Sequence, residues 1–549
     1  MLNQTTNLMA NFLSILMAMK KFDLLRILIV STILFVFILG CKKGQKEKGI
    51  AHPEAQNFYQ EIHRPQFHFT PKANWMNDPN GMFYYEGKYH LFYQYFPDST
   101  VWGPMHWGHA ESKDLLYWKH LPIALFPDSI GSIFSGSAVV DHHNTSKLGT
   151  AKKPPIVAAF THHNFEGEKA KTNDFQSQSI AYSLDGGAEW IKYKGNPVIP
   201  NSEKIKDFRD PKVVWHEPSQ KWILVLAAYD RVKFYASKNL IDWEFMSDFG
   251  IEGDTRLWEC PDLFPMNVEG TDEEKWVLIV SIQKDAPNEG TATSYFIGDF
   301  NGKEFKSEIE NQKWLDWGTD NYAFVTWNKL MKDDDRIIGI GWMSNWQYAQ
   351  IVPTTNWRSA MTLPRELTLV KSSSNYSLHS LPIKEFETLR GPVTLFDQLN
   401  IIEKKVLDGP FSASKSELNL TIDIEKTTAN SFGIELQNDE GENLLVSFNK
   451  SDGMMYVDRT NSSKHKFSDD FFKKVHVAPV DFEKEKMNIR LIIDAASIEI
   501  FINQGELSFT SIFFPSKNFD SMSLFADNGT WHIINSKIYP LKSIWDKKK

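Results

Sequence analysis

The stretch NDPNGMFYYEGKYHLFYQYF, at residues 77–96, decides the fold of this chain. It begins with polar residues that include an acid, enters a run of apolar and aromatic residues, turns at EGK, and enters a second such run. Runs of this kind bounded by turn residues are typical of antiparallel strands. The same order recurs at residues 134–163, 209–229, 259–283 and 320–343. The chain therefore carries repeated copies of one β-strand pattern.

A second pattern lies between these repeats and combines a serine, an acidic or amide-bearing turn, and a tryptophan. It occurs as SKDLLYWKHLP (112–122), SLDGGAEWIKYKGNP (183–197) and SKNLIDWEF (237–245). Each copy suits an outer hairpin, which brings every repeat to about four strands. The sequence therefore predicts a five-bladed β-propeller over residues 61–365.

The pattern changes after these repeats. Over residues 396–549, short segments such as LNLTIDIEK and MNIRLIID alternate apolar and polar residues between turn signals. This pattern predicts a β-sandwich, and residues 366–395 are assigned to a connector. The predicted fold class is all-β, with a five-bladed β-propeller followed by a C-terminal β-sandwich.

Four acids occupy the same position in the repeat, at Asp78, Asp210, Glu259 and Asp320. In a propeller the innermost strand of every blade lies near the axis, so equivalent positions converge on one pocket. Turn formation alone would account for an Asp-Pro dipeptide, but it does not explain acids at one phase of several repeats. We therefore expect a cluster of carboxylates at the mouth of a central funnel.

A cluster of carboxylates suits cleavage of a glycosidic bond, which usually needs one ionised and one protonated carboxyl group. Asp78 and Asp210 lie beside amide-rich or basic residues, so we expect both to be anionic. Glu259 lies between Trp258 and Cys260, and this apolar setting is expected to raise its pKa and make it a proton donor.

Aromatic residues make up 13% of the chain, an excess that suits stacking on flat ligands such as sugar rings. The candidates near the repeats are Trp75, Trp102, Trp107, Trp258, Trp342 and Trp346. We expect about half of them to be buried core residues instead, because tryptophan also fills the space between sheets.

Three motifs together resemble glycoside hydrolase family 32, which includes invertases, inulinases and levanases. They are WMNDPNG (75–81), FRDP (208–211) and WECP (258–261), and the resemblance covers nearly all of residues 63–545. The family's fold, a five-bladed propeller with a C-terminal sandwich, is the fold predicted from the repeats.

The resemblance implies Asp78 as nucleophile, Glu259 as acid/base and Asp210 as transition-state stabiliser. It also implies a two-step retaining mechanism, with the carboxyls of Asp78 and Glu259 roughly 5–5.5 Å apart. No cofactor or metal is expected. The residues expected to bind substrate are Asn77, Gln94, Trp102, Phe134, Ser135, Arg209, Asp320 and Trp342.

The segment GWMSNWQY (341–348) is similar to levanases and exo-inulinases more than to sucrose-restricted invertases. It predicts an exo-acting fructan β-fructosidase that releases terminal fructose from levan or inulin and also cleaves sucrose. Four alternatives stay open: an endo-levanase, a fructosyltransferase, a related arabinan or xylan hydrolase, and a non-catalytic glycan-binding lipoprotein. The WMNDPNG and WECP contexts and the sandwich argue against the arabinan or xylan hydrolase.

The N-terminus predicts a targeting segment. An apolar run at residues 27–39 follows basic residues and ends at Gly40-Cys41, which resembles a bacterial lipoprotein cleavage site. We expect residues 1–40 to be a signal peptide, Cys41 to be lipidated, and residues 41–60 to be a tether. The protein would then be anchored in the cell envelope, at the periplasmic or outer face of the outer membrane. A buried cysteine in a signal anchor is the alternative.

Composition excludes several other classes. The net charge of -9 argues against non-specific nucleic-acid binding, and two cysteines in 549 residues exclude a disulfide framework. The pairs His142-His143 and His162-His163 lack the partner spacing of a zinc site and are interpreted as loop residues. The sequence does not define an oligomeric state.

Overall fold

The computed structural model describes residues 58–150, 152–309, 311–328, 334–373 and 375–545. Tyr59–Lys549 forms one compact unit. The predicted signal peptide, Cys41 and most of the tether lie outside the described residues. Within the described ranges, no helix is both long enough and apolar enough to cross a membrane.

The N-terminal part of this unit consists of five successive antiparallel sheets, here called sheets 1 to 5. Sheet 1 contains β1 (Asn74–Tyr85), β2 (Lys88–Phe96), β3 (His106–Ser112) and β4 (Trp118–Leu125). Sheet 2 contains β5 (Ser132–Val140), β6 (Ile156–His163), β7 (Gln176–Ser183) and β8 (Ile191–Lys192), with helix α1 (Phe165–Lys169) after β6.

The next three sheets follow the same order. Sheet 3 contains β9 (Phe208–His216), β10 (Lys221–Ala228), β11 (Arg231–Ser237) and β12 (Glu244–Gly250), with a 3-10 turn at Glu217–Ser219. Sheet 4 contains β13 (Trp258–Asn267), β14 (Glu274–Ile282), β15 (Ala292–Phe300), β16 (Phe305–Ser307) and β17 (Lys313–Trp314). Sheet 5 contains β18 (Tyr322–Thr326), β19 (Ile337–Met343), β21 (Ala360–Met361), β22 (Arg365–Ser372) and β23 (Asn375–Pro382), while β20 (Trp357–Arg358) pairs with β1.

The first strands of the five sheets form a closed ring. β1 contacts β5, β5 contacts β9, β9 contacts β13, β13 contacts β18, and β18 contacts β1. A pocket is lined by a segment from each of these five strands. Sheets arranged around one axial channel define a β-propeller, as the repeats predict.

The end of sheet 5 corrects one predicted boundary. β22 and β23 form an antiparallel hairpin that pairs with β19, so residues 366–382 belong to this sheet and not to a connector. Both strands alternate buried and more exposed residues, which is the pattern of a sheet with one buried face. These residues follow the last copy of the repeat, at 320–343, so the repeat pattern did not include them.

The C-terminal part is a β-sandwich. One sheet contains β24 (Thr394–Phe396), β25 (Leu399–Ile401), β27 (Ser416–Asp423), β32 (Lys486–Ile493), β33 (Ser497–Ile502), β34 (Leu507–Ile512) and β36 (Trp531–Pro540). The other contains β26 (Lys404–Val406), β28 (Ser431–Gln437), β29 (Asn443–Asn449), β30 (Met454–Asp458), β31 (His476–Pro479) and β35 (Ser521–Asp527). A 3-10 turn at Lys384–Leu389 precedes them, and helix α2 is Asp469–Phe472.

The propeller and the sandwich share buried contacts. Ile492 and Phe501 of the sandwich belong to the same hydrophobic cluster as Phe67 and Phe386. Fully buried ion pairs cross the same interface, among them Arg365 with Glu499. The two parts are therefore packed as one body, and the sandwich can influence the geometry of the propeller.

Candidate active site

The first strands bring five side chains from distant parts of the sequence to one end of the channel. Asp78 lies in β1, Ser135 in β5, Asp210 in β9, Glu259 in β13 and Tyr322 in β18, each near the start of its strand. Because these strands contact one another around the ring, their equivalent positions meet. The convergence predicted for the first three acids of the repeat is therefore present.

Bulges in the first strands aim these side chains. The pairing register slips at residues 77–78 of β1, 210–211 of β9 and 260–261 of β13. A proline lies at or directly after each slip and cannot donate a hydrogen bond to the ladder, which favours a bulge there. A bulge turns a side chain away from its regular direction. The repeated proline was therefore a sequence signal for the site.

Two bulged residues adopt unusual backbone conformations. Asp210 has φ of 65° and Cys260 has φ of 45°, in the left-handed region that non-glycine residues seldom occupy. Such conformations persist only where the surrounding structure holds them, and they are frequent at functional sites. Asp210 is held by a bond from its backbone N–H to Thr161 Oγ1 at 3.0 Å.

Asp78 is half-buried and accepts a hydrogen bond from Ser135 Oγ at 2.7 Å on its Oδ2. Its Oδ1 has no hydrogen-bond partner among the described residues. Burial raises the pKa of Asp78 above its ordinary value, while the bond from Ser135 and the nearby amide of Asn77 oppose that rise. We expected the residues beside Asp78 to favour its anionic form. The net shift of its pKa runs in the opposite direction, because the effect of burial exceeds that of the hydrogen-bond donors.

Glu259 accepts hydrogen bonds on both carboxyl oxygens. Arg209 donates to Oε1 from Nε at 3.1 Å and from Nη2 at 2.9 Å, and the Tyr322 hydroxyl donates to Oε2. A second carboxylate, Asp207, accepts from Arg209 Nη1 at 2.6 Å and holds the guanidinium. The expectation of apolar surroundings for Glu259 is thus wrong. Its charged and polar neighbours, Arg209 and Tyr322, come from other strands.

Asp210 faces the other two acids from β9. Its Oδ2 accepts the backbone N–H of Cys260 at 3.0 Å. Burial raises the pKa of Asp210 to about 7, and the neighbouring Glu259 and Asp78 add to the rise while Arg209 opposes it. The expected anionic Asp210 is therefore also corrected, since close carboxylates do not all ionise readily.

Cys260 lies between two of the carboxylates. Its Sγ is 3.6 Å from Asp78 Oδ2 and 3.6 Å from Asp210 Oδ2. Burial raises the pKa of this thiol well above its ordinary value, so it stays protonated and acts as a weak donor. The cysteine contacts Asp78 and Asp210, and not only the neighbouring Glu259 whose surroundings it was expected to shape.

Two of the predicted binding residues are buried close to the acids. Asn77 is 3% exposed and its Oδ1 accepts a bond from Trp75 Nε1 at 2.7 Å. Gln94 is 2% exposed and donates to Asn80 Oδ1 at 2.8 Å. These bonds hold both amides in place. Asn77 directly precedes Asp78, and Gln94 is bonded to Asn80, which follows Asp78 by two residues.

An aromatic wall stands beside the acids and consists of Trp102, Phe134, His163 and Phe165. Phe134 stacks on His163 with ring centroids 4.2 Å apart. Trp102 meets Phe134 edge to face at 6.0 Å and Phe165 at 5.6 Å. Trp102, Phe134 and Phe165 keep partly exposed faces, which suits contact with the apolar face of a sugar.

Two predicted binding residues do not lie in the pocket. Asp320 is fully buried and pairs with Arg459 of the sandwich, with Nη1 to Oδ2 at 2.7 Å. Trp342 is also fully buried, packed against Trp75 and Trp346. Neither is accessible to a substrate. Asp320 precedes β18, and the residue that reaches the site from this repeat is Tyr322, two positions further on.

Three residues of the site were not predicted from the sequence: Tyr322, Asp207 and Phe165. Tyr322 follows the acid in DNYA (320–323), and the register of β18 slips directly after it. No proline marks this slip in the sequence, so the signal that marks the bulges of β1, β9 and β13 is missing here. Asp207 precedes the RDP motif by two residues, but its ion pair with Arg209 depends on backbone geometry. Phe165 lies on helix α1 in a loop outside the repeats, where no repeat pattern applies.

The site and the fold together define a class of protein. Three carboxyl groups converge at the mouth of a propeller channel, one of them paired with an arginine and a tyrosine, beside an aromatic wall. This set can supply a nucleophile and a proton donor to a glycosidic bond, which is the chemistry of a carboxylate-dependent glycoside hydrolase.

The family follows from comparison with known proteins. Residues 68–382 match the glycosyl hydrolases family 32 N-terminal domain, and residues 385–540 match the glycosyl hydrolases family 32 C-terminal domain. The chain belongs to glycosyl hydrolase family 32 and is a glycosidase.

Curated relatives agree with this membership. The chain is 45% identical to a levanase of Bacillus subtilis (strain 168) over 496 residues, which is 89% of this chain and 72% of the levanase. It is 35% identical to an extracellular exo-inulinase of Aspergillus niger over 531 residues, 91% of this chain and 97% of that protein.

Solved structures show the same fold. An exo-inulinase from Aspergillus awamori superposes with a TM-score of 0.80 at 34% identity, covering 89% of this chain and all of that one. A β-fructofuranosidase from Schwanniomyces occidentalis, complexed with fructosyl-erythritol, gives a TM-score of 0.77 at 31% identity, covering 88% and 99% of the two chains. The β-propeller followed by a β-sandwich is thus confirmed.

Proposed function

We propose that this protein is a retaining, exo-acting fructan β-fructosidase, which releases terminal fructose from levan or inulin and also cleaves sucrose. The proposal draws its reaction class from the family and its substrate class from relatives described as a levanase and exo-inulinases. The observation that carries the assignment of roles is the different environment of two acids: Asp78 retains a carboxyl oxygen without a partner, whereas Glu259 has both oxygens held.

In the first step, Asp78 acts as nucleophile. Its carboxylate forms a bond to the anomeric carbon of the fructosyl unit, and the bond from that carbon to the leaving oxygen breaks. Glu259 in its protonated form gives its proton to the leaving oxygen, so the departing sugar leaves neutral. The product of this step is a covalent ester between the fructosyl unit and Asp78.

In the second step, Glu259 acts as base. It takes a proton from water while the water oxygen attacks the anomeric carbon, and the ester bond to Asp78 breaks. Fructose leaves with the configuration of the substrate, because the anomeric carbon has been inverted twice. Both residues return to their starting protonation states.

The other residues hold the sugar during these steps. Asp210 has a pKa of about 7 before substrate binds, and donors from sugar hydroxyls are expected to favour its ionised form. Charge that develops on the ring in the transition state then lies beside this carboxylate. Arg209 orients Glu259 through its two hydrogen bonds, and the aromatic wall binds the sugar faces.

The size of the earliest products tests this function. Purified protein is incubated with levan, inulin and sucrose, and the products are separated before a tenth of the substrate is consumed. Fructose alone from both polymers is expected, and the remaining chains should shorten gradually from their ends without new fragments of intermediate length. Early oligofructosides would contradict exo action and indicate an endo-levanase. Asp78→Asn serves as the inactive control for the preparation, and unchanged turnover in it would contradict the role of Asp78.

We also propose that the mature protein begins at a lipidated Cys41 and is held at the cell envelope, on the periplasmic or outer face of the outer membrane. The apolar run and the small residue before the cysteine support this proposal. Expressed in a Gram-negative host, the protein should partition into the detergent phase, and Cys41→Ser should move it to the aqueous phase. Equal partitioning of both forms would contradict the anchor.

A further inference from the structure

The sandwich holds the segment that delivers Tyr322 to the active site. This segment, residues 316–322, joins β17 to β18 and is here called the clamp segment. It lies along β34 of the sandwich, where Trp317 N donates to Ser508 O at 2.9 Å. A Cβ atom added at Gly318 would lie 1.9 Å from Thr510 O, so the two backbones are closer than a residue with a Cβ atom would allow.

One end of the clamp segment is fixed at Asp316, which is fully buried. Its Oδ1 accepts the backbone N–H of Thr510 at 2.8 Å, and its Oδ2 accepts the Thr510 hydroxyl at 2.6 Å. Arg365 of β22 donates to Oδ2 at 2.8 Å and neutralises the charge. A sandwich residue therefore satisfies both oxygens of this carboxylate.

The other end is fixed at Asp320, also fully buried. Its Oδ2 accepts Arg459 Nη1 at 2.7 Å and the backbone N–H of Ile512 at 3.0 Å, both from the sandwich. Its Oδ1 accepts the hydroxyl of Tyr348 at 2.5 Å. Arg459 is 1% exposed and also packs on the Phe471 ring, with its guanidinium carbon 3.9 Å from the ring centroid.

The path from Arg459 to the acid/base candidate is short. Tyr322 follows Asp320 by two residues, and its hydroxyl donates to Glu259 Oε2. Asn321 between them donates from Nδ2 to Asp316 Oδ2 at 3.1 Å. A shift of Asp320 away from the sandwich would therefore move the Tyr322 backbone and loosen the hydroxyl that fixes Glu259.

We propose that Arg459 is a positioning residue for Glu259, and that the sandwich serves catalysis by holding the clamp segment in register. The inference rests on the proposed role of Glu259 as acid/base. Arg459 touches no reacting atom; it neutralises Asp320, whose charge would otherwise be buried without a partner cation. Loss of the pair would favour a different position of the clamp segment, in which Asp320 reaches solvent and Tyr322 leaves Glu259.

The test compares Arg459→Met with the wild-type protein on two substrates that differ in leaving group. Sucrose needs a proton on its leaving oxygen, whereas 4-nitrophenyl β-fructofuranoside releases a stable phenolate without one. Arg459→Met should lower kcat for sucrose about ten- to a hundredfold, because a misplaced proton donor is a weak one. For the nitrophenyl substrate, the rate constant of the first, fructosylating step should change less than about threefold.

A milder variant covers the case in which Arg459→Met does not fold. Tyr348→Phe removes only the hydroxyl that Asp320 Oδ1 accepts, and it should show the same leaving-group dependence with a loss of about three- to tenfold. Arg390→Met is the matched control. Arg390 Nη2 pairs with Oε1 of the buried sandwich residue Glu417 at 2.7 Å, and this pair does not involve the clamp segment. Arg390→Met should lower the melting temperature without changing the ratio of the two substrates.

The outcomes separate the inference from the proposed function. Equal losses on both substrates, or none, in folded Arg459→Met and Tyr348→Phe would overturn the positioning role. Glu259→Gln is run in parallel and should show the largest leaving-group dependence of the set. If Glu259→Gln shows none, the acid/base role itself fails; if it alone shows the dependence, only the role of Arg459 fails.

Discussion

At the scale of single residues, the carboxyl groups of the site differ in the donors that surround them. Burial raises the pKa of Asp78 and of Asp210, and each carboxylate is then compensated by a different donor. Ser135 donates a hydroxyl to Asp78, and Cys260 donates its backbone N–H to Asp210. The hydrogen bonds of the first strands therefore decide how much of each acid is ionised at a given pH.

Ser135→Ala tests this balance at Asp78. Removing the hydroxyl takes away a bond to the ionised form, so the pKa of Asp78 should rise further and the acid limb of kcat/KM should move to higher pH. The fall in kcat/KM near neutral pH is expected to be about tenfold. Ser183→Ala is the control, because Ser183 Oγ also donates to a carboxylate, Asp185, but in an outer turn. An acid limb that does not move in Ser135→Ala would contradict the argument.

The acids could be predicted from the sequence, but their hydrogen-bond partners could not. Asp78, Asp210 and Glu259 were predicted because they recur at one phase of the repeat, a property of the chain itself. The pairing of Glu259 with Arg209 and Tyr322 depends on which strands become neighbours around the ring. Asp320 shares the phase of the other acids and yet faces the sandwich, because it lies before its strand begins and not at the bulge.

At the scale of elements, bulged first strands convert a regular sheet into a site. Gly136 directly follows Ser135 in β5, and a Cβ atom there would lie 2.1 Å from Ala159 O of β6. The two strands are thus held closer than any side chain permits, which sets the position of both Ser135 and Phe134. The repeats predicted these first strands. The outer hairpin of sheet 5 was assigned to a connector because it lies beyond the last copy of the repeat, at 320–343.

Gly136→Ala should separate β5 from β6 and displace Ser135. We expect kcat/KM to fall by the order of a hundredfold, with a loss of about 1–3 kcal/mol in the free energy of unfolding. Gly270→Ala is the control, because Gly270 lies in an open turn with φ of 73° and no atom near its added Cβ. It should cost stability and leave kcat/KM near the wild-type value. Activity retained in Gly136→Ala would contradict this role of the close approach.

At the scale of the whole molecule, buried charges join the sandwich to the propeller. His68, near the start of the propeller, contacts Asp494 through Nδ1 at 2.7 Å and Glu499 through Nε2 at 2.8 Å. Burial acts to lower the pKa of His68, but the two carboxylates outweigh it and raise the pKa to about 9. Burial acts to raise the pKa of Glu499, but Arg365 and His68 outweigh this effect and lower the pKa to about 2. The interface is therefore a charged cluster as well as an apolar contact.

This cluster predicts how stability depends on pH. His68 has a folded pKa above its ordinary value of 6.5, so its contribution is complete below pH 6.5 and is lost as the pH rises through 9. The loss amounts to about 3 kcal/mol. Glu499 has a lowered pKa, so its contribution is lost only in acid, as the pH falls from its ordinary value toward 2.

Denaturant unfolding at pH 6 and pH 9 measures the contribution of His68. The wild-type protein should lose more stability between these values than His68→Gln, which lacks the titrating group and should be less stable at pH 6. His143→Gln is the control, since His143 is exposed and should leave the wild-type slope unchanged. Equal slopes in the wild-type protein and His68→Gln would contradict the raised pKa.

The central claim is that Asp78 attacks the sugar and Glu259 handles the proton. The most direct test adds azide to Glu259→Ala with 4-nitrophenyl β-fructofuranoside as substrate and determines the configuration of the fructosyl azide by NMR. Azide needs no base, so it should restore turnover and give the β-azide, the product of attack on the ester at Asp78. Formation of the α-azide, or no acceleration by azide, would contradict the two roles.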